Sequence, residues 1–332
     1  MGIDVSKRTL DLAVLQDGGK PVCEFHIENE SKALRKLLTL LNQEWGIKEN
    51  QLVVCMEHTG IYNAVALGVF WKKKIRVCVE RAMHIKYSQG LTRGKSDKLD
   101  ARRIGHFAYK NRESLTFWKP QRDVIERMKA LLTLRSRLIV VRTQLMVPLS
   151  EVVGFMRPDI LKDLEDKSAH SLRGIEKDLE QVEKELRRLT THDPLVKTQM
   201  EQITSIKGVG PITAMNVILT TGEFTRITEA KKFACYAGVA PFEHTSGSSI
   251  RGRCRVSSLA NSTMKKLLHL AAVSAITHNK ELKAYYQRKL AEGKNKMSVI
   301  NAVRNKLITR IFSCVKNNKL YQEDIQHALA RT

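Results

Sequence analysis

The chain has 332 residues and carries 57 Lys and Arg against 34 Asp and Glu, a formal charge of +23. Such a surplus calls for a polyanionic partner, nucleic acid before any other. The length suffices for two domains with their own cores. No apolar run approaches the roughly 20 residues of a membrane span, and no amphipathic anchor or signal peptide stands out. A cytoplasmic protein is therefore expected, in contact with the nucleoid if the source is bacterial. Cys23, Cys55, Cys78, Cys235, Cys254 and Cys314 include no C-x₂-C pair, as expected of small hydrophobes in a reducing compartment.

In chain order, "MGIDVS" and "TLDLAVLQ" are short strand patterns joined by a polar turn, and a third strand is expected near Val22 to His26. Leu34, Leu37, Leu38 and Leu41 recur on one face of a helix from Ser31 to Trp45. "QLVVCME" reads as a buried strand, followed by a helix from about Tyr62 to Trp71 and a strand at "IRVCV". The order β-β-β-α-β-α-β-α predicts an α/β fold, a mixed sheet with flanking helices. From Asp123 to Gln144 the pattern is helical, with Pro148 and Pro158 expected to interrupt it. Leu172, Ile175, Leu179, Val182 and Leu186 then form a short heptad seam. It suits pairing with another copy or packing of an amphipathic helix on its own domain. After Asp193-Pro194 a mainly helical domain is expected, with a Gly-rich turn at "IKGVGP", a Gly/Ser-rich loop at "EHTSGSSIRGRCR", and helices near Met264 to Ile276 and Ser298 to Val315. These breaks predict three parts: 1–120, a helical segment with a short coiled coil over 121–195, and 196–332.

Asp4 lies in the first strand pattern, immediately before the polar turn, and Glu57 ends a later one, and the ends of neighbouring strands in an α/β sheet can bring such residues together. Asp97 and Asp100 are i, i+3 at the start of the helix "SDKLDARRIGHFAY", on one face and near its positive end, with Ser96 as its cap. Four carboxylates so placed would make a hard oxygen site for Mg²⁺ or Mn²⁺. Taken singly, Asp97 reads equally as a helix-start residue and Glu57 as part of a loop. Lys95, Lys98, Arg102 and Arg103 surround the helical pair, and both phosphate contact and an ordinary solvated face are open for them.

In "IKGVGP", Gly208 and Gly210 suit a hairpin whose amides approach a phosphate backbone, or a structural turn. Ser246, Ser248 and Ser249 precede Arg251, Arg253 and Arg255. Spacing does not rank these serines as nucleophiles, and a flexible loop with backbone-binding arginines is the plainer alternative. No helix-turn-helix or zinc-finger signature stands out, so base reading by the protein itself is not expected.

The stretches "GIDVSKRTLDLAVL", "CMEHTGIY", "GLTRGKSDKLDARRIG", "IKGVGPITA", "FACYAGVAPFEHTSGSSIRGRCRVS" and "NKMSVINAVRNKLI" fall in one order along nearly the whole chain. In that order they resemble bacterial insertion-sequence transposases whose N-terminal domain is similar to a Holliday-junction resolvase. The resemblance implies an RNase H-like fold with an Asp-Glu-Asp-Asp tetrad at Asp4, Glu57, Asp97 and Asp100, and a catalytic serine at Ser246. It also implies a structured bridge RNA guiding donor and target DNA, and homodimers assembling to tetramers through a coiled coil at 168–190. Three departures stand out: only three residues precede Asp4, His58 follows Glu57 where alanine is more usual, and Ser257 to Ser262 lacks basic residues. The function expected is DNA cleavage and strand exchange through a phosphoserine. A metal-dependent nuclease or junction resolvase that activates water is the alternative, and a non-catalytic nucleic-acid-binding protein is a third.

Overall fold

The computed structural model describes residues 1–16, 19–88, 96–240, 242–246, 250–255 and 260–322, with the backbone alone over 242–246 and 250–255. It divides into two compact units, Met1–Pro120 and Gln121–Thr332.

In the first unit, β1 (Gly2–Val5), β2 (Thr9–Leu15) and β3 (Pro21–Glu28) run antiparallel, because short turns join them. Helix α1 (Ser31–Trp45) then carries the chain over to β4 (Val53–Glu57), and α2 (Ala64–Lys72) to β5 (Arg76–Glu80). These crossovers make β1, β4 and β5 parallel, in the order β3-β2-β1-β4-β5. The result is the expected mixed sheet of an RNase H-like domain. Helices α3 (Ala82–Tyr87) and α4 (Asp97–Lys110) complete the unit.

Strand alternation divides its core. Ile3, Leu10, Leu12, Val54 and Met56 are buried in one cluster with the α1 leucines and Phe70 of α2. Cys55 and Cys78 are buried in another with Ile104, Phe107 and Ala108 of α4. Helix α4 lies against β1 backbone to backbone: a Cβ on Gly2 would stand 2.2 Å from the Ala101 carbonyl oxygen and 2.2 Å from the Gly105 nitrogen. The cysteines described are all free, and no helix among the described residues is long and apolar enough to cross a membrane.

The second unit is mainly helical. Helices α5 (Asp123–Glu151) and α6 (Pro158–His192) form an antiparallel pair, with Arg122 at the start of one joined to Asp193 at the end of the other at 2.8 Å. The expected break at Pro148 does not occur, since α5 runs through it to Glu151. A proline forfeits one helical hydrogen bond and crowds one carbonyl, which the last turn of a long helix tolerates. Pro158 occupies the first turn of α6, where its missing N–H costs nothing.

Of the two pairings open to the heptad seam, the structure shows packing on its own domain. Val182 and Leu186 are buried against Ile125, Met128 and Leu132 of α5, so the seam already has a partner within its own chain. Farther along the pair, apolar residues are exposed, Phe155 to 93%.

Helices α7 (Pro194–Thr204), α8 (Pro211–Thr221) and α9 (Ala230–Tyr236) follow, then β6 (Phe242–Ser246) and β7 (Ile250–Arg255), and finally α10 (Ser262–His278), α11 (Lys280–Ala291) and α12 (Lys296–Lys316). The stretch read as a Gly/Ser loop is thus an antiparallel hairpin, with Ser246 opposite Ile250. A small-residue turn flanked by Phe, Thr and Ile is a hairpin signal that the glycines and serines obscured.

Gly2→Ala is expected to lower stability by about 2 kcal/mol or more, as overpacking does in a rigid interior. Gly68→Ala, on α2 where an added Cβ meets nothing within 4 Å, should hold or slightly raise it. Denaturant unfolding monitored by circular dichroism checks both.

Candidate active site and nucleic-acid interface

Gly2 faces α4, so alternation also turns Asp4 toward α4. Gly2 pairs with Cys55 and Ile3 with Met56, which carries the register on to Asp4 beside Glu57. The row continues both ways, because Glu57 pairs with Glu80 of β5, Asp4 with Asp11 of β2, and Asp11 with His26 of β3. Five polar side chains therefore cross the sheet on one face, with the start of α4 on the same side. Ser96 caps that start by accepting a hydrogen bond from the Leu99 amide at 3.3 Å.

Asp4 responds to this company. Burial, then the charges of Asp97, Asp100, Glu57 and Asp11, push its carboxyl up to about 6. Glu57 is raised as well, by burial first and by Asp100 second. The structure thus brings the four predicted carboxylates within electrostatic reach of one another. They are not drawn into chelating distance, since no group of three His, Cys, Asp or Glu among the described residues is close enough to hold an ion. The donor chemistry still fits a hard divalent cation: all four side chains are carboxylates, and their mutual repulsion is what such a charge relieves.

Asp11, Glu80 and their histidine partners escaped sequence reasoning. Asp11 is 5% exposed and is met by His26 Nδ1 at 2.9 Å. Glu80 is met by His84 Nδ1 at 2.9 Å. A signal was present for both. Asp11 interrupts the apolar run of β2, and "VCVE" at the end of β5 repeats the form of "VCME" at the end of β4.

The basic residues near α4 differ in what they can offer a phosphate. Lys98 is exposed. Arg102 is ion-paired to Glu24 of β3, donating from Nη2 at 2.8 Å, and this holds the Glu24 carboxyl below its usual range. Arg103 Nη1 donates to Asp100 at 2.8 Å. Lys95 lies outside the described residues.

In the second unit, Gly208 and Gly210 have different surroundings. Gly208 has φ +96°, and a Cβ there would stand 2.6 Å from the Ala275 backbone of α10, so packing requires this glycine. A Cβ on Gly210 would meet nothing within 4 Å, and Gly210 leads into α8 at Pro211. The two glycines border a shallow recess with Thr204, Lys207, Thr213 and Ser274. Ser246 ends β6, and Arg251, Arg253 and Arg255 occupy alternate positions of β7. Ser248 and Ser249 lie outside the described residues.

Two family profiles match: the DEDD transposase domain of the IS110 type over residues 1–158, and the transposase family IS116/IS110/IS902 over residues 200–287. The chain belongs to this IS110-type transposase family. It is 24% identical to pilin gene-inverting proteins of Moraxella bovis and Moraxella lacunata, over 98% of this chain and 98% of each of theirs. An IS110 insertion-element protein of Streptomyces coelicolor is 27% identical over 154 residues, 46% of this chain and 37% of that protein. This IS110-family transposase is thus a DNA recombination enzyme, and its DEDD domain is of a type that uses divalent metal.

Two outcomes are expected for the transposase. Its folded state holds a proton on Asp4 up to about pH 6, whereas the unfolded chain releases it near 4. Without divalent cations, stability should therefore fall as pH rises through that window. Asp4→Asn should remove most of the fall, about 1–2 kcal/mol after allowing for partial solvent exposure. Thermal melts in chelator from pH 4 to 7 measure it. Separately, Gly210→Ala should keep the melting temperature, whereas Gly208→Ala should lower it, as thermal melts would show.

Proposed function

We propose that this transposase cuts and rejoins DNA through a covalent serine intermediate, with Ser246 as nucleophile and Asp4, Glu57, Asp97 and Asp100 as ligands of Mg²⁺, or of Mn²⁺ in its place. The observation that carries the reading is the carboxylate row beside the start of α4, in which the Asp4 carboxyl is pushed up by burial first and then by the charges of the other three. The serine oxygen attacks phosphorus, the bond from phosphorus to the 3′ oxygen breaks, and the DNA remains joined to Ser246 through its 5′ phosphate. The proton lost by the serine is balanced by the one gained at the departing 3′ oxygen. Attack by a 3′ hydroxyl reverses the step and frees the serine, so no energy source outside the phosphodiester is used. Bound divalent ions would neutralise charge developing on the attacking and departing oxygens.

The residues of this chain have distinct parts in this scheme. Residues 1–120 supply the carboxylates, 121–195 the helical linker with its short coiled coil, and 196–332 the serine strand and hairpin. Ser96 fixes the start of α4 and with it the placing of Asp97 and Asp100. Lys95, Lys98, Arg102, Arg103, Arg251, Arg253 and Arg255 hold backbone phosphates, as do the amides at Gly208 and Gly210. The charge of +23 suits backbone contact more than base reading, so a structured bridge RNA supplies sequence by pairing with donor and target DNA. The exposed apolar end of the α5–α6 pair, which includes Val153 and Phe155, favours homodimers that assemble to tetramers. Recombination that inverts a segment, as named for the Moraxella relatives, needs both strands rejoined without loss, as the reversible serine linkage provides.

The test is a denatured reaction mixture. Protein joined to a DNA 5′ phosphate is expected, with the bond placed on Ser246 by mass spectrometry. Ser246→Ala should lose both adduct and cleavage, and Asp97→Asn should lose cleavage while nucleic-acid binding survives. Normal cutting by Ser246→Ala, with no adduct from the unmodified enzyme, would show instead a nuclease that activates water.

A further inference from the structure

Arg304 on α12 is 6% exposed, yet none of its partners is acidic. Its Nη2 donates to His269 Nδ1 of α10 at 2.5 Å and its Nη1 to Asn301 Oδ1 at 3.3 Å, while its buried Nε has no partner. Burial lowers its pKa with no carboxylate to oppose the shift. The helices α9, α10 and α12 hold nine Lys and Arg and no Asp or Glu, and of the acids on α7 and α11, which also pack on α12, Glu281 is paired with Arg310 and neither it nor Glu201 is paired with Arg304. A buried guanidinium without a counter-ion is costly to the free protein. No described residue supplies the missing negative charge, and a bound anion would.

The hydrogen bonds show how that charge would be received. Because Arg304 donates into His269 Nδ1, that nitrogen must be the acceptor, and the neutral ring carries its proton on Nε2. His269 is half-exposed where Arg304 is buried, so Nε2–H is a donor on the solvent side backed by a fixed positive charge. Lys265 lies one turn before His269 on α10, with its Cδ 3.6 Å from where a Gly238 Cβ would stand. Asn301 also donates from Nδ2 to the Val239 carbonyl at 2.8 Å. This ties the guanidinium to the backbone three residues before β6, the strand that ends on Ser246.

We propose that His269, with Lys265 at its rim, binds a backbone phosphate of the DNA at the root of the β6–β7 hairpin, and that Arg304 is the positioning residue that fixes the histidine tautomer. The proposal rests on the reading of this chain as a DNA recombinase, but not on the serine chemistry. Its physical signature is a change of opposite sign in two measurements: removing the uncompensated charge relieves the free protein and weakens the complex.

The full-length protein, freed of nucleic acid, is titrated against a fluorescent mixed-sequence DNA duplex at several salt concentrations, and against a single-stranded RNA of the same length. Arg304→Met and His269→Leu are each expected to weaken duplex binding about tenfold, and Arg304→Met, which removes the positive charge, to lower the slope of log affinity against log salt by about 0.9. His269→Gln, which keeps a donor, should stay within about threefold of the unmodified protein. The melting temperature of free Arg304→Met should be unchanged or higher. The same losses are expected in a Ser246→Ala background, so failure of the serine assignment and failure of this seat are read separately. Unchanged duplex affinity in His269→Leu overturns the proposal, as does a lowered melting temperature of Arg304→Met with affinity intact. Weakened RNA binding with duplex binding untouched assigns the seat to RNA and overturns it equally.

Discussion

The contact between α4 and β1 is what the candidate active site depends on. With hydrogen in place of a side chain at Gly2 and Gly105, the helix lies on the strand at backbone distance. That approach brings the start of α4, with Asp97 and Asp100, to the strand ends that carry Asp4 and Glu57. A larger residue at either glycine would lift the helix, and because electrostatic interaction falls with distance the carboxylates would lose their mutual influence. The buried contacts of Ile104, Phe107 and Ala108 with Cys55 and Cys78 hold the helix down along the rest of its length.

The cost of this arrangement is like charge. Asp4 is half-shielded from water and faces four other carboxylates, so it keeps a proton to about pH 6. Some acids near the site have local partners: Arg103 meets Asp100, His26 meets Asp11 and His84 meets Glu80. Asp4 has no such partner among the described residues. A negative row inside so positive a protein would repel the phosphate that the rest of the surface attracts, unless a cation intervenes.

The second unit presents the converse problem. Its helices α10 and α12 bury a guanidinium that has no acidic partner among the described residues, while other arginines of the unit have theirs, as Arg122 has both Asp193 and Glu223, and Arg310 has Glu281. One unit thus concentrates unpaired negative charge and the other contains unpaired positive charge. A phosphodiester enzyme has use for both, the first to hold cations and the second to hold the backbone.

Local pattern by itself determined much of this protein. Period-2 and period-3.6 runs marked the strands and helices of the sheet domain, Ser96 followed by Asp97 and Asp100 marked the start of α4, and Asp4 and Glu57 stood out as acids closing apolar strands. These signals are legible because they depend on residues a few positions apart, whose spacing backbone geometry sets. What covers a face, and what stands beside a residue in the next strand, is decided by pairings across tens of residues. The heptad leucines read equally well against a second copy, and only packing settled Val182 and Leu186 on α5. Asp11 and Glu80 joined the carboxylate row through register, and Gly208 proved necessary because Ala275 lies against it. Arg304, one cation among 57 Lys and Arg in the sequence, became distinctive only once folding had buried it with no acidic partner among the described residues.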